Sequence, residues 1–464
     1  MPDPLNPDAD EIRSMGRDAL ERIAAYYDSL ASRPVLQSTG SEALRATLGE
    51  PLPLEGTRFS ALLETLDRVI IPYSRHNGSP NFFGYISSPG NAISALGALF
   101  EAALNINLTS WRSSPAAAEL EHITIGWLKE LLGYPAEALG LLTSGGSMAN
   151  LAALAAARSS SSAKCIYVSE EGHFSIHKAA RLLGLEQDIR AVRTNERFEM
   201  DVDHLERLLA ADRASGLKPL AIVASAGTTA SGAIDPIGPL VDLARRENLW
   251  LHVDAAYGGF AVLAPSVRDR FSRIGDADSV ILDPHKWLFH SVGCGCVLYR
   301  DPEAARRAFS QDAGYTRPLG FQHDEAFAFW DYGPELSRPF RALSLWMLIK
   351  SAGAARLAEA IEQNIACAKY LGTLVQASPD FEMLAPVTLS VFCFRYRPPG
   401  FTGDLDTLNQ RILMALQRGG GTYLSNAFLR GRFALRGCVV NYRTTRRHME
   451  QVLEDVRAAA GSLL

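Results

Sequence analysis

The chain has 464 residues, and 46 lysines and arginines against 51 aspartates and glutamates give it a formal net charge of −5. This charge argues against a nucleic-acid partner, and the 47% hydrophobic content is that of a globular chain with a large core. No apolar run approaches the roughly 18 residues of a membrane span, and the acidic, proline-rich start does not resemble a secretory signal, so we expect a cytoplasmic protein without a membrane partner.

The N-terminal part of the chain is expected to be a helical arm. Residues 10–30 place apolar side chains such as Ile12, Leu20 and Ile23 at helical spacing between charged residues, and a second helical pattern covers 59–71. Helices with apolar faces need a surface to cover them, which a second subunit could supply. We therefore predict a dimer-forming arm at 1–85.

The middle of the chain alternates between apolar, β-rich segments and helical patterns. Strands are expected at 165–169, 220–225, 249–253, 279–282 and 296–299, with helices at 147–158, 176–185 and 236–248 between them. Strands that are apolar throughout and separated by helices indicate a mainly parallel sheet covered on both faces, which binds ligands at the carboxyl ends of its strands. The sequence thus predicts a large α/β domain at 86–347.

The C-terminal part changes character after Lys350. A helical pattern covers 352–376, alternating segments follow at 388–395 and 433–441, and a last helix is expected at 446–459. This order predicts a small α+β domain at 348–464.

Six cysteines are too sparse for a disulfide framework, and Cys294 and Cys296 lie in a strand pattern that favours burial over metal binding.

Small and hydroxyl residues open the first helix of the middle region. In Thr143-Ser-Gly-Gly-Ser, the backbone N–H groups of Gly146 and Ser147 could bind an anion, most naturally a phosphate, at a helix N-terminus. A serine N-cap after a glycine turn explains the same residues equally well. The segment matches neither a dinucleotide-binding fingerprint nor a P-loop.

Two charged residues end apolar strands. Burying the Asp254 carboxylate at the end of a strand costs free energy unless a cationic group pairs with it. A metal held by His252 and Asp254 is an alternative, although no third ligand is evident. Lys286, flanked by His285 and Trp287, is either a surface amine or an amine kept reactive by partial burial. Together, a phosphate site, a carboxylate and a lysine are the parts that hold pyridoxal 5′-phosphate (PLP): the lysine forms an imine, and the carboxylate keeps the pyridine nitrogen protonated.

Three motifs in this order, Ser144-Gly-Gly-Ser, His252-Val-Asp-Ala-Ala-Tyr and Asp283-Pro-His-Lys-Trp, resemble the group II PLP-dependent amino acid decarboxylases, especially the aromatic L-amino acid decarboxylase branch. The resemblance covers most of residues 75–345. It implies the aspartate aminotransferase-like fold of PLP-dependent transferases, called fold type I, and a homodimer with active sites at the interface.

The resemblance also implies the roles of individual residues. It assigns catalytic roles to Lys286, Asp254, His173 and Tyr315. In this assignment His173 stacks on the cofactor ring. The implied cofactor-binding residues are Gly146, Ser147, His173, Thr229, Asp254, Ala256, Asp283, His285 and Lys286. For His173 and Thr229 the structural alternatives are a core histidine and turn chemistry, and His177 is expected on a helix surface. Some relatives have asparagine at position 283, which leaves a contact between Asp283 and the phosphate open because two anions repel.

Tyr315 lies in 310–337, a stretch too long for an ordinary connection and therefore a candidate lid. The family has a mobile-loop tyrosine there, similar to the residue that protonates the substrate carbon after CO2 leaves. Relatives with phenylalanine tend to be aldehyde synthases, so the tyrosine favours simple decarboxylation. The alternative is a loop aromatic without a role.

The substrate is defined less sharply. Tyr85 and Ser88, with Phe82 and Phe83, resemble the segment that lines the side-chain pocket, and an aromatic wall favours an aromatic substrate. Asn107 and Thr109, however, stand where the aromatic branch has an apolar pair that packs on the substrate ring. Arg112 is either a solvated surface residue or a partner for the side chain of an acidic substrate. We predict decarboxylation of an L-amino acid, aromatic favoured. The alternatives are a smaller, polar or acidic substrate, an aminotransferase, an aldehyde synthase, or a cofactor-binding protein without turnover.

Overall fold

The computed structural model describes residues 3–311 and 327–463. The arm contains α1 (Ala9–Ser29), α2 (Ser41–Leu48) and α3 (Phe59–Thr65), and one turn of π-helix (Leu66–Ile70) follows α3. The Asp8 carboxylate accepts the backbone N–H groups of residues 10 and 11, and the Glu11 side chain accepts that of Asp8, so a capping box fixes the start of α1. No residue of α1 is buried, which leaves its apolar stripe uncovered in the single chain.

The central element is a seven-stranded sheet in the order β1-β7-β6-β5-β4-β2-β3. Its strands are β1 (Leu139–Thr143), β2 (Cys165–Ser169), β3 (Ile189–Val192), β4 (Pro219–Ser225), β5 (Trp250–Asp254), β6 (Ser279–Leu282) and β7 (Gly295–Tyr299). All neighbours from β3 to β6 are parallel, and β7 runs antiparallel to β1 and β6. The mainly parallel sheet predicted from the sequence is thus confirmed.

The helices of this region connect the strands and pack against them. They are α4 (Ala92–Leu104), α5 (Pro115–Leu132), α6 (Gly146–Ser159), α7 (Phe174–Leu182), α8 (Val202–Ala214), α9 (Ile237–Glu247), α10 (Pro284–Trp287) and α11 (Pro302–Phe309). α6 packs against β5, β6 and β7, while α9 packs against β4 and β5. Strands β2, β6 and β7 are buried at every position, as expected for strands covered on both faces.

The C-terminal part forms a separate antiparallel sheet with helices. It contains α12 (Ala342–Ala377), β8 (Phe381–Met383), β9 (Val391–Tyr396), α13 (Leu405–Gly419), β10 (Ser425–Leu429), β11 (Arg432–Cys438) and α14 (Arg446–Gly461), with the sheet order β10-β11-β9-β8. α12 begins ten residues before the predicted helix and is interrupted at Gly353, whose φ of +71° breaks the helical geometry. This small α+β unit agrees with the prediction, whereas the three domain boundaries stay predictions. Among the described residues, no helix combines the length and apolar character that a membrane crossing requires.

Candidate active site

The residues singled out by the sequence converge at the carboxyl edge of the parallel strands. A cavity of about 360 Å³ is lined there by Ser144, Gly145, Gly146, Ser147, Met148, Asn150, His173, Ser175, Ser225, Gly227, Thr228, Thr229, Asp254, Ala256, Tyr257, Asp283, His285, Lys286 and Val292. A larger cavity of about 720 Å³, between α5 and α12, contains none of the predicted site residues. Convergent charged groups at strand ends mark the smaller cavity as the candidate active site.

The start of α6 forms one side of this cavity. Gly145 is the N-cap of α6 with φ +152° and ψ 176°, and no side chain caps the helix. Ser147 is therefore the second residue inside the helix and not its N-cap, which removes the capping explanation of this serine. A Cβ on Gly146 would lie 2.7 Å from Asp283 Oδ2, and one on Gly145 would lie 3.0 Å from His285 Cε1. Only glycines allow the helix start to approach the lysine turn this closely, with its first N–H groups free of intrahelical acceptors.

Lys286 stands on a single helical turn that follows β6. Its Nζ lies 3.1 Å from Oδ2 of Asp283, which is almost fully buried and whose Oδ1 has no hydrogen-bond partner among the described residues. His285 Nδ1 donates to the Cys294 carbonyl at 2.6 Å. Trp287 stacks on Tyr257 with ring centroids 4.9 Å apart and fixes the other side of the turn. The turn that follows β6 thus positions Lys286 so that its amine lines the cavity beside the buried carboxylate of Asp283.

Asp254 ends β5 on another side of the cavity. Its Oδ2 accepts from Asn150 Nδ2 at 2.9 Å, and its Oδ1 accepts from the Ala256 N–H at 3.2 Å. Both ring nitrogens of His252 are in hydrogen bonds, Nε2 with Asn150 Oδ1 and Nδ1 with Ser279 Oγ, each at 2.8 Å. These bonds leave His252 no nitrogen for a metal. Asp254 keeps lone pairs for a donor in the cavity.

His173 follows β2 and is the N-cap of α7. Its Nδ1 accepts from the Ser175 N–H at 3.3 Å and lies 2.7 Å from Ser175 Oγ. Burial lowers the pKa of His173, and the charge of Asp254 opposes this shift. The imidazole is therefore neutral near pH 7 and lines the cavity. His177, one turn further along α7, is exposed as predicted.

The predicted substrate residues lie elsewhere in the single chain. Tyr85 is half exposed, Ser88 accepts from the Gly90 N–H, Asn107 accepts from the Arg338 N–H, and the Thr109 carbonyl accepts from the Phe329 N–H. None of these four side chains lines the 360 Å³ cavity. Tyr315 lies outside the described residues. The structure thus assembles the predicted cofactor residues and does not bring the predicted substrate residues to them.

Sequence reasoning did not single out Asn150, which lines the cavity, or Arg436, which lies behind the cavity residue Thr229. Asn150 lines the cavity and joins Asp254 to His252. Arg436, from β11, donates to the carbonyls of Thr229 and Tyr85, while its Nη2 is buried without a partner among the described residues. An unpaired guanidinium nitrogen is costly unless it meets an acceptor, so it is available to an anion. No motif marks either residue in the sequence. Asn150 is one polar residue in an alanine-rich helical pattern, and Arg436 is one charged residue in a strand pattern.

This arrangement fits PLP on its own chemistry. The cavity presents a lysine amine, a buried-strand carboxylate, a neutral imidazole and a glycine-lined helix N-terminus, each suited to one part of the cofactor: its aldehyde, ring nitrogen, ring face and phosphate. The fold and the site together define a PLP-dependent enzyme of fold type I.

Comparisons with known proteins agree with this class. Residues 42–397 match the family model described as the pyridoxal-dependent decarboxylase conserved domain, and the chain belongs to this family. The aromatic-L-amino-acid decarboxylase of Bacillus atrophaeus is 33% identical over 99% of this chain and 98% of its own length. Tryptophan decarboxylase TDC2 of Camptotheca acuminata is also 33% identical, over 99% and 96% of the two chains.

Solved structures give the same result. The crystal structure of Oryza sativa TDC with PLP and tryptamine matches with a TM-score of 0.92 and 30% identity, covering 100% of both chains. That of Catharanthus roseus tryptophan decarboxylase with L-tryptophan matches with a TM-score of 0.92 and 28% identity over 99% of each chain. The predicted fold type, cofactor and decarboxylase family are therefore confirmed, and the protein is a PLP-dependent carboxy-lyase.

Proposed function

We propose that this enzyme converts an aromatic L-amino acid into its amine and CO2. The observation that carries the proposal is the convergence of Lys286, Asp254 and His173 on one cavity beside the glycine-lined start of α6. Similarity over nearly the whole chain to tryptophan and aromatic amino acid decarboxylases supports the aromatic substrate class. None of these observations favours the polar substrate or the aminotransferase that the sequence left open.

When bound, PLP supplies an electron-accepting ring that takes up charge as the carboxylate leaves the substrate. We propose that Lys286 Nζ would be the amine that holds the aldehyde carbon of PLP, and that the Asp283 carboxylate, 3.1 Å from this nitrogen, orients the lysine side chain in the cavity. Asp254 keeps a proton on the ring nitrogen through its negative charge.

The other predicted residues position and protect the reacting groups. The flat side of His173 covers one ring face, and the first N–H groups of α6, at Gly146 and Ser147, bind the phosphate. Thr229, Ala256 and His285 line the same cavity and complete the cofactor contacts. Arg436 Nη2 provides a cation for an anionic group near Thr229. By sequence resemblance, the hydroxyl of Tyr315 donates the proton to the substrate carbon after CO2 departs.

We further propose a homodimer whose second subunit completes the substrate side, where Tyr85, Ser88, Asn107 and Thr109 act. The exposed apolar side chains of the single chain support it: Leu99 and Phe100 of α4 are each 57% exposed, and α1 buries none of its residues. The arm at 1–85, the large domain at 86–347 and the small domain at 348–464 are proposed as its units. All six cysteines are free and buried, which supports a cytoplasmic location.

The test is a product assay on the purified holoenzyme with each of the twenty amino acids. We expect CO2 and the corresponding amine in equal amounts, with the highest kcat/KM for an aromatic substrate. Formation of a keto acid would assign the enzyme to the aminotransferases, and an aldehyde with ammonia and peroxide would assign it to the aldehyde synthases. Absence of CO2 from every amino acid would overturn the proposal.

A further inference from the structure

Asn150 lies at the centre of a hydrogen-bond network behind the cavity. It is 1% exposed, one turn into α6, and its Nδ2 donates to Asp254 Oδ2 and to Ser175 Oγ, both at 2.9 Å. Its Oδ1 lies 2.8 Å from His252 Nε2. One amide therefore connects the residue proposed for the ring nitrogen with the serine that contacts the proposed ring-stacking histidine.

The chemistry of the partners fixes the direction of each hydrogen bond. A carboxylate only accepts, so the amide must turn its NH2 group, and not its oxygen, towards Asp254. The oxygen then faces His252, which must carry its proton on Nε2 and accept on Nδ1. Burial lowers the pKa of His252 to about 4, so the ring is neutral and this single tautomer is available near pH 7.

The far end of the network is compatible with the same direction. Trp250 Nε1, which can only donate, gives its hydrogen to Ser279 Oγ at 2.8 Å, and the Ser279 hydroxyl has its own hydrogen to donate to His252 Nδ1. On the other branch, Ser175 Oγ accepts from Asn150 and lies 2.7 Å from His173 Nδ1. The Ser175 N–H also points to this nitrogen at 3.3 Å, so the two serine donors share its single lone pair and the imidazole hydrogen is on Nε2. With these directions, both nitrogens of the His252 ring and both ends of the Asn150 amide have a hydrogen-bond partner of the required kind.

We propose that Asn150 is a positioning residue that, held in one orientation by His252, fixes Asp254 against the cofactor ring nitrogen and His173 in its Nε2–H form against the ring face. The proposal rests on the roles assigned above to Asp254 and His173, and it adds residues that do not touch the reacting atoms. Its physical basis is that a buried carboxylate with a fixed donor on one oxygen cannot rotate away from the ring nitrogen without leaving that donor unpaired.

A purely structural role predicts a different outcome. If the network only satisfies buried polar groups, breaking it lowers the stability of the protein and leaves the ring nitrogen of the bound cofactor unaffected. The test therefore uses PLP labelled with ¹⁵N in the ring, bound to the holoenzyme without substrate. The ¹⁵N chemical shift reports protonation of that nitrogen, and the visible circular dichroism of the bound cofactor reports the orientation of its ring.

Two variants of one residue give the sharpest comparison. In His252→Gln the amide nitrogen reaches as far as Nε2 and can still donate to Asn150, whereas the shorter side chain in His252→Asn reaches only towards Ser279. We expect the glutamine variant to keep the wild-type ring ¹⁵N signal. The asparagine variant should lose the protonated signal in part and bind PLP about 10- to 100-fold more weakly, because the Asn150 amide is no longer held.

Asn150→Leu removes the whole junction and should have the larger effect on both readouts. The matched control is Asn409→Leu, since Asn409 is an equally buried amide that hydrogen-bonds to Tyr396 in the C-terminal domain, away from the cavity. The control is expected to lower the melting temperature without changing the ring signal. If Asn150→Leu does not fold, the pair of His252 variants decides the question.

The outcomes also separate this inference from the proposed function. A ring nitrogen that is unprotonated in the wild-type holoenzyme would overturn the role of Asp254 itself. A protonated wild-type signal that stays the same in His252→Asn, with unchanged PLP affinity and circular dichroism, would overturn the role of Asn150 alone. Equal loss of signal in both His252 variants would show that the imidazole acts other than by donating to Asn150 and would also contradict the proposal.

Discussion

The two sides of the active-site region differ in how much of their structure a single chain supplies. The inner wall, which we define as Asn150, His252 and Asp254, is buried and hydrogen-bonded at every polar atom that faces the protein. The outer segment, defined as residues 85–109, carries the half-exposed Tyr85 and the exposed apolar face of α4. One chain thus brings together the residues of the proposed cofactor side, whereas the proposed substrate residues lie in a segment whose apolar face the single chain leaves exposed.

The lysine beside the inner wall should show the largest effect. We expect Lys286→Ala to lower kcat/KM by at least about 10³-fold and to abolish the visible absorbance of the protein-linked cofactor, because no amine remains to bind it. Lys286→Arg is the matched control, since it keeps a cation beside Asp283 and lacks a reactive amine. Retention of that absorbance in Lys286→Ala without added amine would contradict the assignment.

Tyr315 tests the lid that the sequence predicts. Tyr315→Phe should lower amine formation by about 10²- to 10⁴-fold, because general-acid help at the substrate carbon is lost, while PLP affinity stays near the wild-type value. The measurement is the rate of amine and aldehyde formation, with the aldehyde share expected to rise. Tyr332→Phe removes another tyrosine hydroxyl outside the cavity as a control, and equal effects of the two variants would remove Tyr315 from the mechanism.

Asp254 tests the chemical contribution of the inner wall. Asp254→Asn keeps the shape and removes the charge, so we expect kcat to fall by about 10²- to 10³-fold. Asp278→Asn is the control, because this carboxylate accepts from the Leu251 N–H near the start of the same strand and does not line the cavity. Similar losses of kcat in both variants would show a general effect on the sheet.

The buried histidines of the large domain should make folding stability depend on pH. Burial lowers the pKa of His252 and of His290 from 6.5 to about 4, so the unfolded chain takes up these protons before the folded protein does. These two histidines should therefore contribute a fall of about 3 kcal/mol in the free energy of unfolding between pH 6.5 and pH 5, a contribution that stops growing near pH 4. Burial raises the pKa of Glu171 and of Asp235 to about 7, so these two carboxyl groups contribute in the opposite direction over the same range.

Chemical denaturation of the apoenzyme across this pH range measures the effect. His252→Gln should remove the contribution of this one imidazole, so that between pH 6.5 and pH 5 its free energy of unfolding changes by about 1.5 kcal/mol relative to the change in the wild type. Replacement of the exposed His177 by glutamine should leave the pH dependence unchanged. A pH dependence of His252→Gln identical to that of the wild type would contradict the buried neutral state of this imidazole.

The outer segment should show the smallest effect, on assembly. Phe100→Glu places a charge on the exposed face of α4 and should weaken dimerisation by about 10- to 100-fold, which a dilution series by analytical ultracentrifugation measures. Phe428, which is 59% exposed on β10 against 57% for Phe100, gives the matched control Phe428→Glu. Equal dimer constants for the two variants would exclude α4 from the interface.

The sequence predicted the buried elements more accurately than the edges. The strands at Cys165–Ser169 and Ser279–Leu282 were placed to the residue, because both are short, apolar and β-branched, which favours a buried strand over a helix. β1 and β3 were missed: β1 is a short run containing Gly140, and β3 is an edge strand with a partly exposed Arg190. Both obtain their strand structure from pairing with distant segments, which local patterns do not encode.

The same distinction holds within the site. Asp254 and Lys286 could be predicted because a charge at the end of an apolar strand needs an explanation. Asn150 and Arg436 could not be predicted, since each depends on a hydrogen-bond partner more than 100 residues away in the chain. Asn150 donates to Asp254, and Arg436 donates to the carbonyl of Thr229. The early beginning of α12 was missed for a similar reason, because Gly353 interrupts the helical pattern without ending the helix.

The most direct test of the central claim, that Lys286 holds PLP at this cavity, is borohydride reduction of the wild-type holoenzyme followed by peptide mass spectrometry. The account predicts a pyridoxyl group on the peptide that contains Lys286, in a ratio of about one per chain. A label on another lysine, such as Lys178 on α7, or a holoenzyme that releases all its cofactor unreduced, would contradict it.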